Sequence, residues 1–118
     1  MNNAALHRSF LYAAKGIAYM LRSQRNARIH IAATVIVCAL GAWLGLTATD
    51  WRWLIAAITL VWSAEAVNTA IECLCDVVSP EYHPAVGRAK DLGAGAVLIC
   101  AVGALAIGLI TFAPYLLR

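Results

Sequence analysis

The chain has 118 residues, of which 63% are hydrophobic and 13% charged, and it carries a formal net charge of +3 at pH 7. A soluble domain has about 25% charged residues, and a mean hydropathy of +0.77 leaves more apolar surface than one small core can hide. Composition therefore excludes an ordinary soluble domain, gives no support to a nucleic-acid partner, and points to a single domain, 1–118, embedded in a lipid bilayer.

The first predicted element is an amphipathic helix over residues 5–27. Leu6, Phe10, Ala13, Ala14, Ile17 and Leu21 recur at helical spacing, while Arg8, Lys15 and Arg22 fall on another face. A basic amphipathic helix beside a membrane span is expected to lie in the interface with its cations toward lipid phosphates. Basic residues interrupt the first 28 positions, so no cleavable signal peptide is expected. The uncharged run 31–49 is 19 residues long, enough to cross the ~30 Å hydrocarbon layer. It predicts a first span at about 29–49. Asp50, Trp51, Arg52 and Trp53 then suggest a polar and aromatic interfacial turn, with Trp43 and Trp62 as further belt or packing residues.

A second span is expected over 53–78, stopped by Ser79 and Pro80 because the residue before proline disfavours the helical region. Residues 81–90 are expected to form a polar loop containing Pro84 and Gly87. The third span, about 91–113, holds an uncharged run of 21 residues at 92–112 in which Gly93, Gly95, Gly103 and Gly108 permit close helix contact. The predicted fold class is thus an all-α integral membrane protein, an N-terminal amphipathic surface helix plus three transmembrane helices. Lys and Arg cluster before the first span and after the second, which puts the N-terminus in the cytoplasm and the C-terminus outside. Cys38, Cys73, Cys75 and Cys100 all fall in apolar stretches and are expected to be small buried hydrophobes.

Within the second span stand Glu65, Asn68, Glu72 and Asp76. At about 100° per residue the three carboxylates lie within about 40° of one another, and Asn68 lies about 60° to one side, forming a stripe roughly 16 Å long. Each acidic group costs about 2.5–3.5 kcal/mol at the bilayer centre and ordinarily marks function. A relay for ions or protons would use such a stripe, and so would a subunit held in an oligomer by interhelical hydrogen bonds. Phosphoryl transfer would use it too, since that reaction needs an aligned hydroxyl, a base and cations around the phosphates. Glu72, toward the cytoplasmic end, suits a Mg²⁺ ligand. Glu65, two turns deeper, suits a base for a hydroxyl held in the bilayer. Asp76 and Asp91 could instead pair with Arg88 or Lys90. His30 and His83 are expected to be interfacial polar residues, because no second histidine stands at ligand spacing.

Three runs together, Glu65-x-x-Asn68-Thr69-Ala70-Ile71-Glu72-x-x-x-Asp76, Ser79-Pro80-Glu81-Tyr82-His83 and Arg88-Ala89-Lys90-Asp91-x-Gly93, resemble the signature of the prokaryotic diacylglycerol kinase family, which includes undecaprenol kinases. The resemblance extends to Lys15–Gly16 and to Asn26-x-Arg28-x-His30. It implies a three-span homotrimer in the bacterial cytoplasmic (inner) membrane that uses ATP and Mg²⁺ to phosphorylate a lipid alcohol at the cytoplasmic face. It also implies Glu65 as base, Asn68 as an orienting amide and Glu72 as metal ligand, with nucleotide contacts from Tyr12, Glu81, Tyr82, His83, Lys90 and Asp91. At Gln24 the family usually has a glutamate that joins the metal site, and the amide oxygen of Gln24 could still coordinate there without adding charge. The run from Ser79 to Pro84 is similar to the undecaprenol branch and Gly87 to Asp91 to the diacylglycerol branch. Diacylglycerol is the expected acceptor and undecaprenol the alternative.

Overall fold

The computed structural model describes residues 2–118, which form four helices joined by short connections. They are α1 (Asn3–Ser23), α2 (Arg25–Leu44), α3 (Ala48–Val78) and α4 (Pro84–Leu116), and no strand occurs among the described residues. The last three are each long and apolar enough to cross a membrane. The expected all-helical class holds, with an N-terminal helix followed by three spans.

Local chemistry sets each boundary. Asn2 caps α1 by accepting the Ala5 N–H, and the helix stops where Gln24 turns to extended backbone. Gln24 thus separates α1 from α2, so the first helix stops short of its expected end at residue 27. At the far end of α2 the turn lies at Gly45, Leu46 and Thr47, not at Asp50–Trp53. Gly45 adopts a left-handed conformation (φ 71°), which terminates α2. Thr47 then starts α3 through a reciprocal capping box with Asp50. Asp50 is therefore a first-turn helix residue. Trp51 packs over Gly41, where an added Cβ would come within 2.9 Å of its ring. Most of the expected polar loop is also helical. His83 caps α4 by accepting the Ala85 N–H on Nδ1, and Pro84 occupies the first turn, where its missing N–H costs nothing.

α3 and α4 form the principal packed pair. The end of this pair nearest Gly45 is fixed by a small apolar cluster of Leu46, Leu54 and Phe112, and by a hydrogen bond from the Tyr115 hydroxyl to Asp50. Along α3, Glu65 lies about 25 Å from Ala48 and Glu72 about 36 Å, at 1.5 Å per residue. A ~30 Å hydrocarbon layer beginning near Ala48 would therefore end between them.

The single chain exposes 8312 Å², whereas a compact monomer of 12.6 kDa exposes about 6,200 Å². The excess includes Trp43, Val67, Leu74, Leu105 and Ile110, all exposed. All four cysteines are free, and Cys73 is exposed toward α1, where its thiol contacts the Tyr19 hydroxyl.

Candidate active site

The stripe on α3 divides into three environments. Glu65 is fully buried, and neither carboxylate oxygen has a hydrogen-bond partner. His30 on α2 approaches it, with Nε2 3.7 Å from Oε2, too long for a direct hydrogen bond. One turn on, Asn68 is also buried and donates its amide to Glu72 Oε1 at 3.3 Å, while its Oδ1 is unpartnered. Glu72 is half-buried and receives a second amide from Gln24 Nε2 at 2.9 Å. Asp76 leaves this network: it is exposed and binds Lys90 Nζ at 2.7 Å. The site thus keeps Glu65, Asn68 and Glu72 of the stripe, joined by the expected Gln24 from the α1–α2 break and by His30 from α2.

Packing explains why the network can form. Gly93 of α4 lies directly on Asn68, and a Cβ there would run into Oδ1 and come 3.4 Å from Cγ. The small residue lets α4 close over the amide. Thr69 donates its hydroxyl to the Glu65 carbonyl at 2.8 Å, which seals that turn of backbone in an apolar setting. Gln24 reaches Glu72 because it occupies the break between α1 and α2, 48 residues away in sequence.

Two cavities meet at His30. One, of about 220 Å³, runs along α2, α3 and α4 and is walled largely by apolar groups such as Val37, Leu54, Val61 and Leu105. The other, of about 280 Å³, holds Asn26, Asn68 and Glu72 with Val97 and Leu98. Glu65 lines neither cavity but lies 3.7 Å from His30, which lines both.

The remaining candidates lie outside this centre in the single chain. Tyr12 and Tyr82 are strongly exposed, with the Tyr82 ring resting near Gly87. Glu81 accepts from the Ser79 hydroxyl through its backbone carbonyl. Asp91 and Arg88 line a separate open recess on another part of α4. His83 acts as the α4 cap.

Among the described residues, no group of three or more His, Cys, Asp or Glu is placed to hold a metal ion. The donor set nevertheless suits Mg²⁺, a hard ion that commonly takes one or two carboxylates and draws its other ligands from phosphate and water. Glu72 offers the carboxylate. Gln24 offers an amide oxygen, its N–H being already committed to Glu72.

Residues 11–112 match the family model for prokaryotic diacylglycerol kinase. The chain belongs to the prokaryotic diacylglycerol kinase family. It is 38% identical over 109 residues to an undecaprenol kinase of Bacillus subtilis (strain 168), covering 92% of this chain and 89% of that one. It is 39% identical over 110 residues to a diacylglycerol kinase of Synechocystis sp., covering 92% of this chain and 63% of that one. A diacylglycerol kinase of Escherichia coli (strain K12) is 34% identical over 91 residues, 77% of this chain and 75% of that one. This is a family of lipid kinases, and membership with three membrane-long helices makes the chain a multi-pass bacterial membrane protein that uses ATP.

His30, expected only as an interfacial polar residue, reaches the α3 stripe because α2 lies along α3. Gln24, expected as a metal ligand, is brought to Glu72 by the break between α1 and α2. The signal that could have found His30 is the Gln24-x-Asn26-x-Arg28-x-His30 run, which puts polar groups every second residue at the start of an apolar stretch.

Proposed function

We propose that this chain is an ATP-dependent lipid kinase that transfers the γ-phosphoryl group to the primary hydroxyl of diacylglycerol, giving phosphatidic acid at the cytoplasmic face. The observation carrying this reading is Glu65: a carboxylate with no exposure and no hydrogen-bond partner, 3.7 Å from His30, which lines both an apolar cavity and the one holding Glu72. A buried unpaired carboxylate is costly, and a lipid hydroxyl entering from the apolar side would satisfy it.

In this reading Glu65 accepts the hydroxyl proton as the oxygen attacks the γ-phosphorus and ADP leaves. Asn68 holds Glu72 and orients the incoming hydroxyl. Glu72, with Gln24, would hold Mg²⁺, which when bound neutralises phosphate charge. Lys90 moves from Asp76 to the phosphates, a small cost because an exposed ion pair is worth about 0–1 kcal/mol. Tyr12, Glu81, Tyr82, His83 and Asp91 complete the nucleotide site from the cytoplasmic surface, where the N-terminus also lies. The excess exposed surface supports assembly with further copies, and we assign a homotrimer. Cross-linking in native membranes should give trimers, and monomers alone would contradict that assignment.

Undecaprenol is the second acceptor to consider, because the 38% identity to the Bacillus subtilis enzyme spans nearly all of both chains. Purified protein given labelled ATP and each lipid in mixed micelles decides between them. Label should appear in phosphatidic acid; label confined to undecaprenyl phosphate would reassign the acceptor. Transfer to neither lipid would reject the kinase reading, and ion movement without ATP would point to a transporter.

A further inference from the structure

A base that is fully buried must lose its proton before it can act again. Glu65 has no exposure, and its one titratable partner in contact is His30, with Nε2 3.7 Å from Oε2. His30 differs from Glu65 in being partly open, with 19% of its side chain exposed. It also lines both cavities, so its ring spans the boundary between the apolar volume and the one that holds Glu72. The ring is held there: Trp62 packs edge-on against it at 6.5 Å, and Trp62 donates to Thr34, which in turn donates to the His30 carbonyl at 2.7 Å. From α3 the charged group lining these cavities is Glu72, with Glu65 in contact with His30, and α4 contributes only apolar residues such as Ala94, Val97, Leu98 and Ala101.

We propose that His30 is the positioning residue that resets Glu65, taking the lipid-derived proton from its carboxyl group and passing it to water on the polar side. This deepens the kinase reading and rests on it. The steps balance. The O–H bond of the lipid breaks as its proton moves to Glu65, the new O–P bond forms, and the bond from the γ-phosphorus to the ADP oxygen breaks. A side-chain shift first closes the 3.7 Å gap to hydrogen-bond length. Glu65 then passes the proton to the free Nε2 of His30, the imidazolium gives its Nδ1 proton to water, and tautomer exchange through water frees Nε2 again. Both groups return to their starting states.

The test compares wild-type protein with His30→Gln and His30→Ala in ATP-dependent phosphorylation of diacylglycerol in mixed micelles. His30→Gln keeps the approximate shape and cannot carry the proton, so kcat should fall by about 10-fold or more while KM for ATP and lipid stays within about twofold. His30→Ala leaves ring-sized space beside two existing cavities, so added imidazole should restore its rate in proportion to concentration. Rescue is a readout that a purely packing role would not give. A His30→Gln enzyme with wild-type kcat overturns the inference, as does a His30→Ala enzyme that is folded, slow and unresponsive to imidazole. If wild-type protein transfers no phosphate, the kinase reading itself fails; if only the variants behave like wild type, the relay alone fails.

Discussion

Gln24→Glu tests the metal site most sharply, because it replaces a hydrogen-bond donor with a second carboxylate. Gln24 Nε2 now donates to Glu72 Oε2 at 2.9 Å. Losing a hydrogen bond to a charged group costs about 1.5–3 kcal/mol. Two carboxylates about 4 Å apart repel by up to about 4 kcal/mol at an effective dielectric constant of 20. Without a divalent cation the variant should therefore be less stable by roughly 3–6 kcal/mol, a drop in Tm of about 10 °C or more for a chain of this size. A bound Mg²⁺ reverses the sign of the repulsive part, because both carboxylates then face a cation. The assay is thermal unfolding of purified protein in detergent, with chelator and then with Mg²⁺. The variant should regain most of its loss with Mg²⁺, whereas wild type should change little, and the variant should need less Mg²⁺ for half-maximal rate. A variant that melts like wild type in chelator and gains nothing from Mg²⁺ would refute the placement of the metal between α3 and the α1–α2 break.

Three further outcomes follow from the same geometry. Glu72→Gln removes the only carboxylate that faces both Gln24 and Asn68, and it should raise KM for Mg·ATP at least about 10-fold with a smaller effect on lipid KM; equal nucleotide use in titrations would contradict this. Gly93→Ala drives a methyl group into Asn68, and overpacking of this kind costs about 1–3 kcal/mol, so the unfolding midpoint and kcat should fall together; a fully active, equally stable variant would mean α4 is free to move. A reporter fused after Arg118 should be active only outside the cytoplasm, and cytoplasmic behaviour would reverse the topology.

The spans were legible because runs of apolar residues long enough to cross lipid leave few alternatives. Their ends were less so. Asp50, Trp51, Arg52 and Trp53 have the composition of an interfacial turn, yet Gly45 ends α2 earlier and Thr47 with Asp50 starts α3 at once. Capping is decided by backbone angle and a single side-chain contact, and hydropathy is blind to both. The polar loop shortened for the same reason, since His83 and Pro84 are helix-starting chemistry. On the stripe, helical periodicity correctly placed Asn68 beside Glu72, because those contacts lie within one helix. It placed Asp76 on the same face, but α4 supplies Lys90 there, the surface pairing expected as the alternative for that carboxylate. The contacts of Glu65 with His30 and of Glu72 with Gln24 join residues far apart in sequence. Periodicity within one helix does not encode such contacts, although the alternating polar residues from Gln24 to His30 mark the segment that makes them. They depend on how α2 lies against α3, and sequence spacing carries no information on that angle.

The central claim is that Glu65 takes the proton from a lipid hydroxyl, and single-turnover phosphoryl transfer by Glu65→Gln tests it most directly. With Mg·ATP bound first and diacylglycerol added in mixed micelles, transfer should be at least about 10²-fold slower than wild type, with nucleotide affinity unchanged because Glu65 lies apart from the Glu72 network. A Glu65→Gln protein that transfers phosphate at close to the wild-type rate would contradict the account and leave the buried carboxylate a structural group.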